Sequence, residues 1–597
     1  MQFNSRDTRP AIRYARPTAT VTALAAAALL GGCGPFDGGD DNGSTFATPL
    51  VVANAPTTCA ALAGKTIDAS LIGEPTTGAV VTSATYRLAV ADAPNATNTG
   101  IVQGRPDYCE VLVDIKPVDP AAPLIKSQVN LPTSWNGKKL QFGGAGYNGV
   151  LQTGVSPSRN AGPEVPLPLT QGYMTAGTDS GHQMQTGVEQ FAFALNAEAL
   201  TNFAYASYKK THDVAVQLGQ LYYAHRPMRS YYMGGSEGGR EGMVMAQRYP
   251  SDYDGIVSID PVMNWTGLQT FGNYVGGILQ SVPGGWLGGK TQLVHDTVLG
   301  ACDALDGLAD GVVSNYLACK APADAALAAK ACASGSDEGP SCFSSAQLAV
   351  LNAAHAGYTF TFARANGMTS YAGFGYGGEG LPGNWSTWMT GTVPPTAGAT
   401  ATGIPQLYQY GNGAVRYFFV QNPAFDPLSF NPAAFQARVQ QVSELMDATN
   451  PDLSAFFARG GKLILREDLS DTAQSPFTGL NYWDATVARL GRTTVEQSFV
   501  AYAATGLPHT SGGVVAGTPN APAHGIPGRV DLLAQLEGWV ERGVKPSDQL
   551  ELVNREPLPP YNVVASKPLC RYPAYPRYVG TSPAGANVAN NYVCSTS

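Results

Sequence analysis

Residues 232–243 read YMGGSEGGREGM and place Ser236 at the centre of a Gly-x-Ser-x-Gly motif. The residues before it, 230–233, have the character of a short buried strand, and residues 240–249 have the apolar spacing of a helix. A serine on so tight a strand-to-helix turn needs neighbours without side chains, because the backbone is strained and packs closely. The stretch therefore predicts a nucleophilic serine at the end of a strand; the alternative is a glycine-rich turn with a capping serine.

Such a turn also aims backbone N–H groups at the negative charge that develops on an attacked carbonyl oxygen. We expect the N–H of Glu237 to be one donor. A second glycine cluster, Gly143-Gly144-Ala145-Gly146, follows a predicted strand at 139–142, which is where an α/β-hydrolase has its other donor. Gly146 is therefore the second predicted oxyanion donor, and a plain turn is the alternative.

A serine hydroxyl is a weak nucleophile near neutral pH, so it needs a base and an acid that orients the base. Asp471 and His509 each follow a predicted late strand, at 462–465 and at 499–503, and the order Ser236, Asp471, His509 is that of an α/β-hydrolase. Among the seven histidines, His524 is the rival base. For the acid, the alternatives are Glu467 and Asp468.

Length and composition limit the class of protein. The chain has 597 residues, a formal net charge of −8 and 13% charged residues, without the basic stripe that nucleic-acid binding requires. We predict an α/β fold: an α/β-hydrolase domain in two parts, 46–262 and 455–597, and a large inserted lid domain at 263–454. The lid is rich in aromatic residues, which suit the walls of an ester site.

The N-terminus reads as a targeting segment, since four arginines precede a short apolar run that ends in Leu30-Gly31-Gly32-Cys33. We expect residues 1–33 to be a lipoprotein-type signal with a lipid anchor on Cys33, and 34–45 to be a tether. This anchor would be the chain's only membrane attachment. It predicts an exported protein, either periplasmic or at the outer membrane; an ordinary secretory signal is the alternative.

Of nine cysteines, removal of Cys33 leaves eight, an even number that suits an oxidising compartment. Sequence alone does not fix their pairing. Pairing by proximity predicts four disulfides: Cys59–Cys109, Cys302–Cys319, Cys332–Cys342 and Cys570–Cys594.

An acidic loop lies inside the predicted lid, at 302–312. Asp303, Asp306 and Asp310 are closely spaced there, and they repel one another unless a cation neutralises them. Oxygen ligands favour Ca²⁺, although the spacing is not that of an EF-hand. The loop predicts a calcium site; a solvated acidic turn is the alternative.

Three motifs together resemble the tannase/feruloyl esterase family, and more closely its bacterial members that hydrolyse mono(2-hydroxyethyl) terephthalate: residues 234–243, 253–257 and 302–311. The resemblance implies a lidded α/β-hydrolase with Ser236, Asp471 and His509 as its triad. It also implies calcium in the lid, held by the side chains of the three loop aspartates and by the carbonyl oxygens of Leu308 and Val312.

Two departures from that family's pattern stand near the site. The family usually has cysteines just before the serine and just after the histidine, which pair; this chain has Gly235 and Thr510. The stretch before the acid usually reads His-Gly, where this chain has Glu467-Asp468.

The substrate prediction depends on charge. Terephthalate monoesters carry a carboxylate that a lid arginine must pair, and the lid candidates Arg364 and Arg416 do not fall in the matching motif. We therefore predict a hydrolase of small aromatic esters of the feruloyl or galloyl type. The alternatives are a mono(2-hydroxyethyl) terephthalate hydrolase and a non-catalytic lipoprotein that binds aromatic ligands.

Overall fold

The computed structural model describes residues 48–281, 284–394 and 403–597. The central element is a twelve-stranded mixed sheet. In chain order its strands are β1 (Thr66–Ile67), β2 (Ala79–Arg87), β3 (Tyr108–Ile115), β4 (Ile125–Pro132), β5 (Lys138–Phe142), β6 (Met174–Thr178), β7 (Arg229–Gly235), β8 (Gly255–Ile259), β9 (Lys462–Asp468), β10 (Phe499–Ala504), β11 (Gln549–Arg555) and β12 (Val563–Arg571).

Across the sheet the order is β11-β12-β10-β9-β8-β7-β5-β6-β4-β3-β2-β1. The six strands from β10 to β6 run parallel, and the strands on either side of them pair antiparallel. The carboxyl ends of β7, β8, β9 and β10 therefore meet at one edge. Ligands and catalytic residues gather at such an edge in open α/β sheets.

Burial patterns explain which strands are central. Every residue of β8 and β10 is buried, as expected for parallel strands covered on both faces. In β3 the burial alternates over most of its length, the pattern of an antiparallel strand with one wet face. The predicted strands at 462–465 and 499–503 are confirmed, and both run slightly further than predicted.

Among the described residues, the helices of eight or more residues are α1 (Ser207–Tyr223), α2 (Glu237–Arg248), α3 (Trp265–Ser281), α4 (Thr291–Cys302), α5 (Tyr316–Ala329), α6 (Ser345–Ala356), α7 (Gln406–Gly413), α8 (Gln436–Met446), α9 (Phe477–Leu490) and α10 (Leu532–Arg542). Shorter helices cover Ala55–Ala60, Ala197–Thr201, Trp385–Trp388, Ser454–Ala458 and Arg492–Glu496. A π-helical turn, Asn202–Ala206, leads directly into α1.

Side chains of the central strands alternate between two apolar cores. Tyr231, Val257 and Ile464 pack with the helix α10 on one face. Ile256 and Leu463 pack with α2 and α9 on the other face. Because both faces are covered, the polar chemistry is left to the strand ends.

The chain leaves the sheet after β8 and returns at β9, its immediate neighbour. The helices α3 to α8 lie in this excursion and pack around two apolar clusters of their own. We call residues 260–461 the helical insertion. It covers the predicted lid, whose boundaries at 263 and 454 stay predictions.

Candidate active site

The predicted nucleophile, Ser236, occupies the turn between β7 and α2 with φ 61° and ψ −124°. A positive φ is costly for a residue with a side chain, so the turn must be held by its surroundings. The Ser236 N–H donates to the carbonyl oxygen of Ile259 at 2.9 Å, and its carbonyl accepts from Val262 at 3.2 Å. A Cβ at Gly238 would lie 2.7 Å from the carbonyl oxygen of Gly144, so glycine allows the two loops to approach this closely.

The predicted base and acid are in contact. Nδ1 of His509 lies 2.6 Å from Oδ2 of Asp471. The Asp471 carboxylate is fully buried, and it also accepts from the backbone N–H of Ala473 at 2.7 Å and of Gln474 at 3.2 Å. Both backbone bonds go to Oδ1 and fix the carboxylate, while Oδ2 contacts the imidazole.

The two alternative acids have other partners. Glu467 accepts from the side-chain amide of Gln474 at 2.9 Å, and burial together with neighbouring carboxylates raises its pKa well above the usual value. Asp468 accepts from the backbone N–H of Ser511 at 2.8 Å. Neither is bonded to His509, so Asp471 is the acid that the geometry favours.

The rival histidines lie elsewhere. His182 is buried and stacks on Phe193, with ring centroids 3.6 Å apart. His524 lies beside the acidic loop, where it is close enough to interact electrostatically with Lys567 and Asp310. Neither lines the cavity described next.

Ser236 and His509 line the same cavity of about 280 Å³. Its walls are aromatic and aliphatic. Trp388 contacts the His509 ring edge to face, with ring centroids 5.7 Å apart. The remaining apolar walls include Tyr147, Val262, Trp265, Leu268 and Tyr410.

Gly146 also lines this cavity and has a φ of +56°. The two amides before it are used internally: Gly144 donates to a carboxylate oxygen of Glu241 at 3.1 Å, and Ala145 donates to the side-chain oxygen of Asn148 at 2.7 Å. The loop is therefore pinned just before Gly146. This arrangement suits the predicted role of the Gly146 N–H.

Glu237, the other predicted donor, is the first residue of α2, where an N–H has no carbonyl partner within the helix. Its side chain accepts from Nε of Arg240 at 2.8 Å. Arg240 in turn donates to the carbonyl oxygens of Ala204 at 2.9 Å and Met446 at 3.1 Å. Burial raises the pKa of Glu237 to about 7, although Arg240 opposes that rise. The arginine thus ties the start of α2 to the insertion.

Arg159 is a cavity residue that the sequence reasoning missed. A Cβ at Gly235 would lie 2.8 Å from Nε of Arg159, so the arginine fills the space beside the serine where a side chain would stand. Its Nε is buried and makes no hydrogen bond. The acids Asp260 and Asp468 lie close enough to interact electrostatically with the guanidinium.

The two lid arginines considered as carboxylate partners are occupied. Arg364 is buried and donates to Asn264 at 2.6 Å, with a carboxylate oxygen of Asp447 at 3.3 Å. Arg416 donates to the carbonyl oxygen of Pro423 at 2.6 Å. Neither lines the cavity that holds Ser236.

In the acidic loop, Asp303 accepts from the backbone N–H of Asp310 and Gly311, both with 3.1 Å contacts. Asp306 Oδ2 and Asp310 Oδ1 are buried and make no hydrogen bond, so both are available as ligands for a cation. Lys567 supplies one positive charge, 2.7 Å from Asp310. The donor set fits a hard cation such as Ca²⁺.

The side chains of the three loop aspartates do not all lie close together. Among the described residues, the groups whose potential ligand atoms lie within 4.8 Å of one another are Cys332/Glu338/Cys342, His212/Asp213/Asp252 and Asp260/Asp471/His509. The three loop aspartates are not such a group. The carbonyl-bearing residues Leu308 and Val312 are buried in the same loop.

All four predicted disulfides are confirmed: Cys59–Cys109, Cys302–Cys319, Cys332–Cys342 and Cys570–Cys594. Within the described ranges, no helix has both the length and the apolar character needed to span a bilayer. The signal segment 1–33, the anchor at Cys33 and the tether 34–45 lie outside the described residues.

A mixed sheet of this order, with a strained serine after a central strand and an aspartate-bonded histidine that lines the same cavity, defines the class of α/β-hydrolases. The predicted fold class is confirmed. The tannase and feruloyl esterase family model matches residues 109–595, and the chain belongs to that family. It is a carboxylic ester hydrolase, as the motifs predicted.

Two relatives agree with this assignment, and a solved structure agrees with the fold. An uncharacterized esterase of Agrobacterium fabrum is 34% identical over 92% of this chain and 95% of its own length. A mono(2-hydroxyethyl) terephthalate hydrolase of Piscinibacter sakaiensis is 30% identical, covering 87% of this chain and 89% of its own. The crystal structure of feruloyl esterase B from Aspergillus oryzae superposes with a TM-score of 0.71 at 22% identity, over 90% of this chain and 100% of that one.

Proposed function

We propose that the chain hydrolyses small aromatic carboxylic esters through an acyl-Ser236 intermediate. The observation that carries the proposal is the 2.6 Å contact between His509 and the buried Asp471, with His509 and the strained serine lining one cavity. A base oriented by a buried acid, beside a nucleophile at the start of a helix, is what acyl transfer requires.

Each residue has one task. With the Asp471 carboxylate at Nδ1, the ring proton stays on Nδ1 and Nε2 is free to accept. Nε2 takes the Ser236 proton as Oγ bonds to the ester carbon, and it returns that proton to the departing alcohol. Water then attacks the acyl-serine by the same route. The N–H groups of Glu237 and Gly146 stabilise the negative oxygen in both steps.

The cavity supports the aromatic part of the proposal. A volume of about 280 Å³ is near the lower end of small-molecule sites, so it suits a single substituted ring. The walls include two tryptophans, Trp265 and Trp388, which offer flat apolar surface. Feruloyl and galloyl esters have this size and shape.

A second candidate substrate class is favoured by Arg159. An ester that also carries a carboxylate, such as a terephthalate monoester, would give this guanidinium the bidentate partner it lacks. A mono(2-hydroxyethyl) terephthalate hydrolase is among the relatives. Arg159 lines the cavity, whereas Arg364 and Arg416 do not and are bonded to other groups.

We also propose that Ca²⁺ stabilises the acidic loop. Asp303, Asp306 and Asp310 would hold it by their side chains, and Leu308 and Val312 by their carbonyl oxygens. The ion would neutralise carboxylates that Lys567 alone cannot balance. Its role would be structural.

Export is the last part of the proposal. The basic, apolar N-terminus that ends in Cys33 supports a periplasmic or outer-membrane lipoprotein. The four disulfides support an oxidising compartment.

The experiment is a hydrolysis panel of methyl ferulate, methyl gallate and monomethyl terephthalate, with two matched serine variants. Ser236→Ala should lose at least about 10³-fold in kcat while remaining folded. Ser180→Ala is the control, because Ser180 is also buried and also has a positive φ, 68°, but does not line the cavity. Equal activity in the two variants would contradict the proposal.

A further inference from the structure

Asp260 stands directly after β8 and is fully buried. Its φ is +45°, in the left-handed region that non-glycine residues rarely adopt. Such a conformation is strained and persists only where the surroundings hold it. The hydrogen bonds of Asp260 therefore show which parts of the site depend on this conformation.

Both of its carboxylate oxygens accept strong backbone hydrogen bonds. Oδ1 accepts from the N–H of Asp468 at 2.6 Å, at the end of β9. Oδ2 accepts from the N–H of Thr510 at 2.6 Å. Because Thr510 follows His509, this second bond fixes the backbone immediately beside the predicted base.

The turn that carries Asp260 is also bonded to the nucleophile. Ile259 accepts from the Ser236 N–H at 2.9 Å, and Val262 donates to the Ser236 carbonyl at 3.2 Å. Residues 259–262 thus contact both main-chain groups of Ser236 on one side. On the other side, the Asp260 side chain holds the loop of His509.

A second layer supports the same loop. Asp468 accepts from the N–H of Ser511 at 2.8 Å and from Nε of Arg466 at 2.8 Å. Arg466 donates to the carbonyl oxygen of Ser511 at 3.0 Å. All three ionisable residues, Asp260, Asp468 and Arg466, are fully buried, so few other partners compete for these bonds.

No disulfide can join the two loops beside the site, because the residue before Ser236 is Gly235 and the residue after His509 is Thr510. Thr510 is instead one of the two residues that the Asp260 side chain holds. The other is Asp468.

We propose that Asp260 is a positioning residue that bridges the Ser236 turn and the His509 loop without a covalent bond. The proposal rests on the proposed function, since it assigns Asp260 a role in the same site. Removal of the side chain would leave the backbone N–H groups of Asp468 and Thr510 without these acceptors, which is unfavourable. Without the carboxylate, the His509 loop should move relative to Ser236.

The test compares Asp260→Ala and Asp260→Asn with a matched control, Asp447→Asn. Asp447 is a buried acid in the helical insertion that accepts from Thr266 N–H at 2.8 Å and pairs with Arg364. Two quantities are measured on each protein: kcat and KM for methyl ferulate, and amide hydrogen exchange in the segment 505–512.

Asp260→Ala should lower kcat roughly 10- to 100-fold with KM changed less than about threefold, since the bridge acts on alignment and not on substrate contacts. Asp260→Asn should fall between it and the wild type, because the amide oxygen still accepts one bond. Both should exchange faster than the wild type in 505–512. Asp447→Asn should be less stable but keep kcat within about twofold and leave exchange in 505–512 unchanged.

The bridge is overturned if the Asp260 variants lose only thermal stability, as the control does, or if exchange in 505–512 does not change. The exchange measurement needs no catalysis. If the wild type proved inactive on every ester, the proposed function would fail while faster exchange in the Asp260 variants would still show the bridge. Should Asp260→Ala not fold, Asp260→Asn gives the same comparison.

Discussion

The imidazole of His509 and the carboxylate of Asp471 meet at 2.6 Å, although 38 residues separate them in sequence. The acid is fully buried and the histidine ring is 11% exposed, so one partner is sealed while the other opens to the cavity. This difference suits a catalytic triad in which the acid orients the base and only the base contacts the substrate.

Replacing that acid should therefore impair turnover more than binding. Asp471→Asn should lower kcat by roughly 10³-fold or more, because the amide no longer fixes the imidazole tautomer or stabilises its positive form. KM should change little. Glu467→Gln is the matched control at a buried neighbouring acid that bonds Gln474, and it should lose less than about fivefold. A larger loss in Glu467→Gln than in Asp471→Asn would reassign the acid.

The sequence was sufficient for the parts of the fold that depend on local pattern. Apolar runs at 462–465 and 499–503 predicted two late strands, and a glycine-flanked serine predicted the turn between β7 and α2. Proximity was enough to predict every disulfide, since each closes a loop of 10 to 50 residues.

Residues that act through distant contacts escaped. Arg159 lies in the loop after β5, far in sequence from Ser236, and no local pattern marks it as a cavity residue. Asp260 has the same difficulty, because its meaning comes from Thr510, 250 positions away. The departures from the family's pattern near the acid and the histidine are the one sequence signal that points to this region.

Arg159 should control discrimination between charged and neutral esters. The test compares monomethyl terephthalate with its amide analogue, methyl 4-carbamoylbenzoate. The two esters have nearly the same shape and differ in charge. The wild type should prefer the carboxylate by roughly 10-fold or more in kcat/KM, as expected for a charge-assisted pair. Arg159→Gln should remove this preference and keep activity on the neutral ester.

The control is Arg416→Gln, at an arginine of the insertion that does not line the cavity and donates to Pro423. It should keep the wild-type preference. If Arg159→Gln lowered both substrates equally, its role would be to balance the buried acids Asp260 and Asp468, and the carboxylate substrate class would be rejected.

Calcium should stabilise the folded chain. An ion that binds only the folded state contributes about 2.7 kcal/mol at a hundredfold excess over its Kd, so chelation by EGTA should lower Tm by a few degrees and added Ca²⁺ should restore it. Asp306→Asn should abolish the response, because Asp306 Oδ2 is a buried acceptor without another partner. An identical Tm with EGTA and with Ca²⁺ would contradict the site.

Stability should also depend on pH through His182. Burial lowers the pKa of this imidazole to about 4, whereas an unfolded histidine has a pKa near 6.5. Between these values the unfolded chain binds the extra proton, so the free energy of unfolding should fall as pH drops from about 6.5 to 4, by up to about 3 kcal/mol. In His182→Gln this part of the slope should be missing. Equal slopes in urea titrations of the two proteins would contradict the assignment.

The central claim is that Ser236 is the nucleophile, and a fluorophosphonate probe tests it most directly. After incubation and trypsin digestion, we expect about one probe per folded chain, on the peptide spanning residues 230–240. The variants Ser236→Ala and His509→Ala should remain unlabelled. A folded wild-type protein that took up no probe, or took it up on another peptide, would contradict the account.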